Sequence, residues 1–193
     1  MDTNRLEAFS DGVLAIIITI MVLELKVPHG SDFGAIQPVL PVFLTYILSF
    51  IYVGIYWNNH HHLVKASRVV TAGIMWANLH LLFWLSLFPF ATGWMGANHF
   101  TALPSAVYGG VLFMAASAYY LLQTFIVSAH GGRSKLAKSI GNDNKGKLSP
   151  LLYAVAIALS FFRPWIAGCI YVGVALLWLV PDRRLEKVVD EAK

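Results

Sequence analysis

An aspartate interrupts the first long apolar stretch of the sequence. Asp11 lies in the segment RLEAFSDGVLAIIITIMVLEL, about two helical turns from its start. An acidic side chain is costly inside an apolar span, and by default it marks a functional site or a specific partner. Successive side chains of a helix turn by about 100°, so Asp11 would project about 140° away from Ile16. The carboxylate and the aliphatic residues therefore cannot serve one surface.

An apolar stripe is predicted on another side of the same helix. Its members recur at helical spacing and are Phe9, Gly12, Ile16, Thr19, Ile20 and Leu23. Ser10 lies on the side of Asp11. In one interpretation the stripe packs against lipid or a neighbouring helix, and hydrogen bonds satisfy Asp11. In the other, residues 12–23 line an axial pathway, and Asp11 attaches the helix to its own subunit.

Three adjacent histidines follow the second apolar stretch. On a helix His60, His61 and His62 diverge by about 100° each, so they cannot all ligate one metal ion. No Cys, Asp or Glu stands nearby at ligand spacing, and we predict no metal site. We favour a structural role in which one imidazole hydrogen-bonds into the region 5–11; solvation at the membrane interface is the alternative. His80, deeper in the third stretch, is predicted to make an interhelical hydrogen bond.

The composition belongs to a membrane protein. Of 193 residues, 58% are hydrophobic and 12% are charged, whereas soluble domains carry about 25% charged residues. Between Arg68 and Arg133 lie 64 consecutive residues without an Asp, Glu, Lys or Arg. These features exclude a soluble enzyme and a nucleic-acid binder, and the single cysteine, Cys169, excludes a disulfide scaffold. We expect the lipid bilayer as a partner and no cofactor.

The sequence predicts an all-α integral membrane protein with six transmembrane helices in one domain, residues 1–193. A helix needs about 20 residues to cross about 30 Å of hydrocarbon. Suitable stretches cover about 6–25, 36–57, 69–95, 105–129, 150–162 and 165–180. Arg163-Pro164 separates the last two, because proline interrupts a helix. Residues 182–193 are expected to form a short cytoplasmic tail. No small-residue cleavage site follows Leu25, so we expect the first span to be retained rather than removed as a signal peptide.

Basic residues in the loops predict the orientation. With an internal N-terminus, twelve of them fall on the cytoplasmic side: Arg5, Lys65, Arg68, Arg133, Lys135, Lys138, Lys145, Lys147, Arg183, Arg184, Lys187 and Lys193. Only Lys26 and Arg163 fall outside. Cytoplasmic loops carry an excess of Lys and Arg, so both termini are predicted to be cytoplasmic. The net charge of +4 then reflects topology rather than an acidic partner.

The first span also carries a family signature. Its residues are Arg5, Phe9, Ser10 and Asp11, spaced as in the RxxxFSD signature of the transmembrane protein 175 family, which the chain resembles. The run at 12–25 continues the likeness. YWNNHH at 56–61 resembles the family's Trp-x-x-His-His, and NLHLLFWLSLFPF at 78–90 resembles its third helix. One departure is His62, where many relatives carry Arg.

This resemblance implies a potassium-permeable channel in the bacterial cell (inner) membrane. The subunits, each one six-helix repeat, would form a homotetramer in which four first helices surround the axis. The family's hydrophobic constriction would map onto Ile16, with further rings at Ile20 and Leu23, and Thr19 would offer a hydroxyl to a permeating ion. The family's network that holds the pore helix would map onto Arg5, Phe9, Ser10 and Asp11, with His60 and His61 at the end of the second span.

Such a filter differs from that of ordinary potassium channels, in which backbone carbonyls of a TVGYG loop replace the hydration shell. We predict no such loop, because Val53-Gly54-Ile55-Tyr56 lies inside an unbroken apolar span. Isoleucine rings offer no ligands. They gate by dewetting and penalise strongly hydrated ions, so a modest preference for potassium over sodium is expected.

Two other functions remain open on the sequence alone. A proton-coupled small-solute transporter would use Asp11 as its titrating group, although transporters usually have polar groups near the midplane and broken helices. A membrane enzyme or cofactor protein built on the histidines would need a base near Ser10 or two histidines four residues apart on a helix, and neither is present. We therefore predict that the chain is not an enzyme.

Overall fold

A computed structural model describes residues 2–67, 69–130 and 144–179. Within these ranges every regular element is helical, which confirms the all-α class. The helices are α1 (Thr3–Leu23), α2 (Phe33–Ile36, continued by a 3-10 turn, Gln37–Val39), α3 (Leu40–Ala66), α4 (Ala72–Ser86), α5 (Phe88–Ala97), α6 (Ala102–Ala129), α7 (Asn144–Ser160) and α8 (Pro164–Leu179). The predicted tail 182–193 and the segment 131–143, which contains Arg133, Lys135 and Lys138, lie outside the described residues.

Within the described ranges, four helical segments are long and apolar enough to cross a membrane. They are Thr3–Leu23, Phe33–Ala66, Ala72–Ala97 and Ala102–Ala129, and Pro164–Leu179 is a shorter apolar helix. The predicted fifth and sixth spans correspond to α7 and α8, which are interrupted at residues 161–163. Pro164 begins α8, where its missing N–H costs nothing because the first turn of a helix leaves those groups unpaired.

The third predicted span is divided into α4 and α5, whereas the sequence predicted one helix. Thr71 caps α4 by accepting a hydrogen bond from the amide of Ile74 at 3.3 Å. Pro89 lies in the first turn of α5, and a proline inside a helix removes one hydrogen bond and clashes with the preceding turn. The chain therefore ends α4 at Ser86 and restarts at Phe88 without leaving the span.

A buried face of α1 positions the candidate site. Its members are Leu6, Ser10, Leu14, Ile17 and Met21, which recur every three or four residues and so share one side of the helix. This face packs against α3, α4 and α5. The opposite side of α1 is exposed among the described residues.

Buried tyrosines join α3 to the second half of the chain. The hydroxyl of Tyr52 donates to the carbonyl of Tyr171 at 2.6 Å, and the hydroxyl of Tyr171 donates to the carbonyl of Ser105 at 3.0 Å. Tyr108 lies 3.0 Å from the hydroxyl of Ser49. A buried hydroxyl without a hydrogen bond is costly, so these bonds fix how α3, α6 and α8 meet.

Candidate functional site on the first helix

The apolar stripe predicted on α1 is its exposed side. Ile16 is 57% exposed, Ile20 is 44% exposed and Leu23 is 77% exposed, and Gly12 and Thr19 are also exposed. Soluble proteins bury most such side chains. The stripe is therefore available to lipid or to other copies of the chain.

Thr19 lies within this stripe, one turn beyond Ile16. Its hydroxyl donates to the carbonyl of Ile16 at 2.9 Å. Because the hydrogen is used inside the helix, the oxygen is left as an acceptor. Such an oxygen can face a cation.

Asp11 is attached to α3. The indole Nε1 of Trp57 donates to Asp11 Oδ1 at 3.1 Å, and Asp11 is half-buried. The carboxylate is thus held by the same chain, on a side of α1 away from Ile16. The sequence identified Trp57 only as part of the family run at 56–61 and did not predict its hydrogen bond to Asp11.

A chain of hydrogen bonds links Ser10 to His60 through the interior. Asn78 on α4 donates from Nδ2 to Ser10 Oγ at 3.0 Å, and Ser10 Oγ donates to the carbonyl of Leu6 at 2.8 Å. His60 Nε2 lies 2.7 Å from Asn78 Oδ1. Since that oxygen can only accept, Nε2 carries the hydrogen. Ser10, Asn78 and His60 are all buried, so these hydrogen bonds join α1, α4 and α3 in the interior.

One ring nitrogen of His60 has no partner among the described residues. His60 Nδ1 is buried and makes no hydrogen bond within the described residues. Protonating this nitrogen would place a second N–H in an apolar interior, where an unpaired donor is costly. The arrangement therefore favours a neutral imidazole.

His61, the residue after His60 on α3, contacts Glu7 of α1. Its Nδ1 lies 2.5 Å from Glu7 Oε1, and its Nε2 lies 3.4 Å from Lys65 Nζ. An ammonium only donates, so Nε2 accepts and Nδ1 carries the hydrogen toward Glu7. Sequence reasoning missed Glu7. Its position four residues before Asp11, and therefore on the same side of α1, was the available signal.

The structure does not bring Arg5 and Phe9 into this network. Both are exposed, and no hydrogen bond or ion pair joins the side chain of Arg5 to another described residue. Phe9 lies on the side of Ile16, seven residues away. In a single chain these two signature residues are therefore separate from Ser10 and Asp11.

His62 and His80 are not arranged as metal ligands. His62 packs edge-on against His61, with ring centroids 5.4 Å apart. His80 Nε2 accepts a hydrogen bond of 2.8 Å from Trp84 Nε1, one turn along α4. The predicted interhelical bond of His80 is therefore wrong, because α4 supplies the partner itself. Within the described ranges, no group of three or more His, Cys, Asp or Glu residues is arranged to hold a metal ion.

Comparisons with known proteins agree on one family. The model of the family described as "Endosomal/lysosomal potassium channel TMEM175" matches residues 5–89. A potassium channel of Chryseobacterium sp. (strain P1-3) is 58% identical over 191 residues, covering 99% of this chain and 100% of that one. A potassium channel of Chamaesiphon minutus is 31% identical over 179 residues, covering 86% of this chain and 88% of that one.

A solved structure has the same fold. The crystal structure of a lysosomal potassium-selective channel TMEM175 homolog from Chamaesiphon minutus aligns with a TM-score of 0.76 at 27% sequence identity. The alignment covers 92% of this chain and 96% of that one. The proteins named in these comparisons are ion channels, not enzymes.

Proposed function

Because the chain belongs to the TMEM175 family of potassium channels, we propose that it conducts potassium ions across a membrane along the exposed side of α1. One observation carries the proposal. The hydrogen bonds that attach the side chains of Ser10 and Asp11 leave the exposed side of α1 free, and the apolar stripe lies there. The prediction that the chain is not an enzyme is confirmed, because the family consists of ion channels.

The conducting surface consists of successive apolar rings. Ile16 forms the hydrophobic constriction, and Ile20 and Leu23 form further rings at helical spacing. Thr19 presents its hydroxyl oxygen between them. Such rings have no ligands for a dehydrated ion, so they select by the cost of stripping water and close by dewetting. A TVGYG-type filter loop plays no part.

Several copies are needed to enclose this pathway. The stripe of one chain lies open, so a conduit forms only when the first helices of neighbouring copies face one another. We propose a homotetramer of six-span subunits in the bacterial inner membrane, with cytoplasmic N- and C-termini. Arg5 and Phe9, exposed in the single chain, find partners on a neighbouring copy in this arrangement.

The polar contacts behind α1 keep its stripe facing the axis. Asp11 bonds to Trp57, and Ser10 bonds to Asn78, which in turn bonds to His60. These contacts act away from the apolar stripe, and His61 adds a contact to Glu7. Rotating α1 would break all of them together. The signature residues therefore serve the pathway by fixing the orientation of α1 rather than by touching the ion.

The transporter alternative has less support. A coupled transporter usually binds substrate at interrupted helices near the midplane, whereas α1 is continuous from Thr3 to Leu23. Asp11 is occupied by Trp57. No contact among the described residues favours a substrate site there.

Ion currents through purified protein in planar bilayers test the proposal. Ile16→Asn should change the conductance and the permeability ratio of potassium to sodium, because it places a hydrogen-bonding group in the constriction. Val22→Asn is the matched control: Val22 is 44% exposed and lies about 120° away from Ile16 around the helix. An unchanged ion preference in Ile16→Asn would overturn the proposed filter.

A further inference from the structure

An apolar constriction has no means of distinguishing the sign of a charge. Ile16, Ile20 and Leu23 carry no dipole or charge toward the axis, so their barrier depends on how firmly an ion holds its water. A weakly hydrated anion meets a similar barrier. Preference for cations over anions must therefore come from fixed charge at a mouth of the pathway.

Glu24 is the charged residue next to the last ring. It caps the C-terminus of α1 directly after Leu23, and its backbone N–H bonds to the carbonyls of Met21 and Val22. Glu24 is exposed. It follows Ile17 of the buried face by seven residues and so lies on the same side of α1, which places its carboxylate beside the mouth, toward its own subunit, rather than on the axis.

The backbone adds to the same charge. A helix ends with unpaired carbonyls equivalent to about half a negative charge, and the last turn of α1 contains no basic residue that would neutralise them. The carboxylate of Glu24 and the carbonyls of α1 thus act together.

The side chain of Glu24 packs against the neighbouring helix α5. A Cβ atom built on Gly93 of α5 would lie 2.7 Å from Glu24 Oε2, closer than real Cβ contacts allow. The carboxylate therefore packs directly against Gly93, and a larger residue there would require it to move. Glu24 lines a groove together with Lys26 and Asp32, where two carboxylates and one ammonium leave a net negative charge per subunit.

We propose that Glu24 makes this mouth selective for cations, concentrating monovalent cations and excluding chloride before the apolar rings sort cations by hydration. This inference rests on the proposed function, since it requires the stripe of α1 to line the pathway. The two selections are separable: Glu24 acts on the sign of the charge, and Ile16 acts on the hydration of the ion.

Reversal potentials in potassium chloride gradients across planar bilayers test the assignment. Glu24→Gln should lower the ratio of potassium to chloride permeability several-fold and leave the ratio of potassium to sodium permeability unchanged. Glu24→Asp should retain the preference for cations. The loss should be larger at ~0.01 M salt, where the Debye length is about 30 Å, than at ~1 M salt, where it is about 3 Å.

Asp32→Asn is the matched control, because it removes the same charge from the same groove at a residue outside α1. A smaller effect than that of Glu24→Gln is expected. If Glu24→Gln leaves the potassium to chloride ratio unchanged, or if Asp32→Asn lowers it as much, the assignment to Glu24 is wrong. Ile16→Asn, measured in the same preparation, separates this failure from a failure of the proposed function. If Ile16→Asn alters the potassium to sodium ratio, only the assignment to Glu24 is wrong. If Ile16→Asn leaves that ratio unchanged, the proposed pathway itself is wrong.

Discussion

Trp57 and Asp11 meet across two helices, with 3.1 Å between the indole nitrogen and the carboxylate oxygen. Trp57 lies on α3 and Asp11 on α1, 46 positions apart in sequence. The contact lies on a side of α1 that faces away from the exposed Ile16. Asp11 therefore holds α1 against α3 of its own chain, whereas the side of α1 that carries Ile16 is exposed.

Trp57→Phe should destabilise the chain, because it removes the donor and keeps most of the aromatic packing. A hydrogen bond of this kind contributes about 1 kcal/mol net, and the free energy of unfolding in detergent micelles should fall by about that amount. Trp76→Phe is the control, since Trp76 is 73% exposed on α4. Equal stability of the two variants would show that the bond to Asp11 contributes nothing.

Asn78→Leu should be more damaging, since it leaves the N–H of buried His60 without an acceptor. A buried polar group left unpaired costs about 1–3 kcal/mol. The double variant with His60→Leu should lose less than the sum of the two single variants, because both partners of the pair are then removed. Denaturant titrations of the four proteins measure this coupling, and additive losses would contradict a direct bond between His60 and Asn78.

Gly96→Ala should separate α3 from α5. A Cβ at Gly96 would lie 2.5 Å from the Cα of Val42, and backbone cannot move aside as a flexible side chain can. We expect a loss of about 1–3 kcal/mol from the overpacking. Gly110→Ala provides the comparison, since a Cβ there meets nothing within 4 Å. Thermal unfolding that is unaffected in Gly96→Ala would show that the helices are less closely packed.

A cavity behind α3 is expected to hold ordered water. It has a volume of about 40 Å³ and is lined by residues that include Tyr56, Tyr153 and Gln123. Gln123 is only 4% exposed, and its side chain makes no hydrogen bond to another described residue. A water needs about 10–15 Å³, so two or three should fit and bond to Gln123. High-resolution density should show these waters in the wild type and fewer in Gln123→Met; a dry wild-type cavity would contradict the expectation.

The character of α1 could be predicted from the sequence, because it depends on local spacing alone. A rotation of 100° per residue puts Asp11 and Ile16 on different sides of any helix that contains both. The pattern of apolar residues likewise predicted helices throughout, and Arg163-Pro164 indicated the interruption before α8. The signature at residues 5–11 was enough to identify the family.

The partners of that helix were decided only by tertiary structure. Asn78 bonds to Ser10 across 68 positions of sequence, and nothing in the spacing of either helix selects the other. Glu7, Trp57 and Asn78 were missed as contacts for the same reason, and Arg5 and Phe9 proved exposed in the single chain. Which faces of two helices meet depends on the shapes of all the side chains between them, so the network behind α1 follows from packing, whereas its two opposed faces follow from the helix itself.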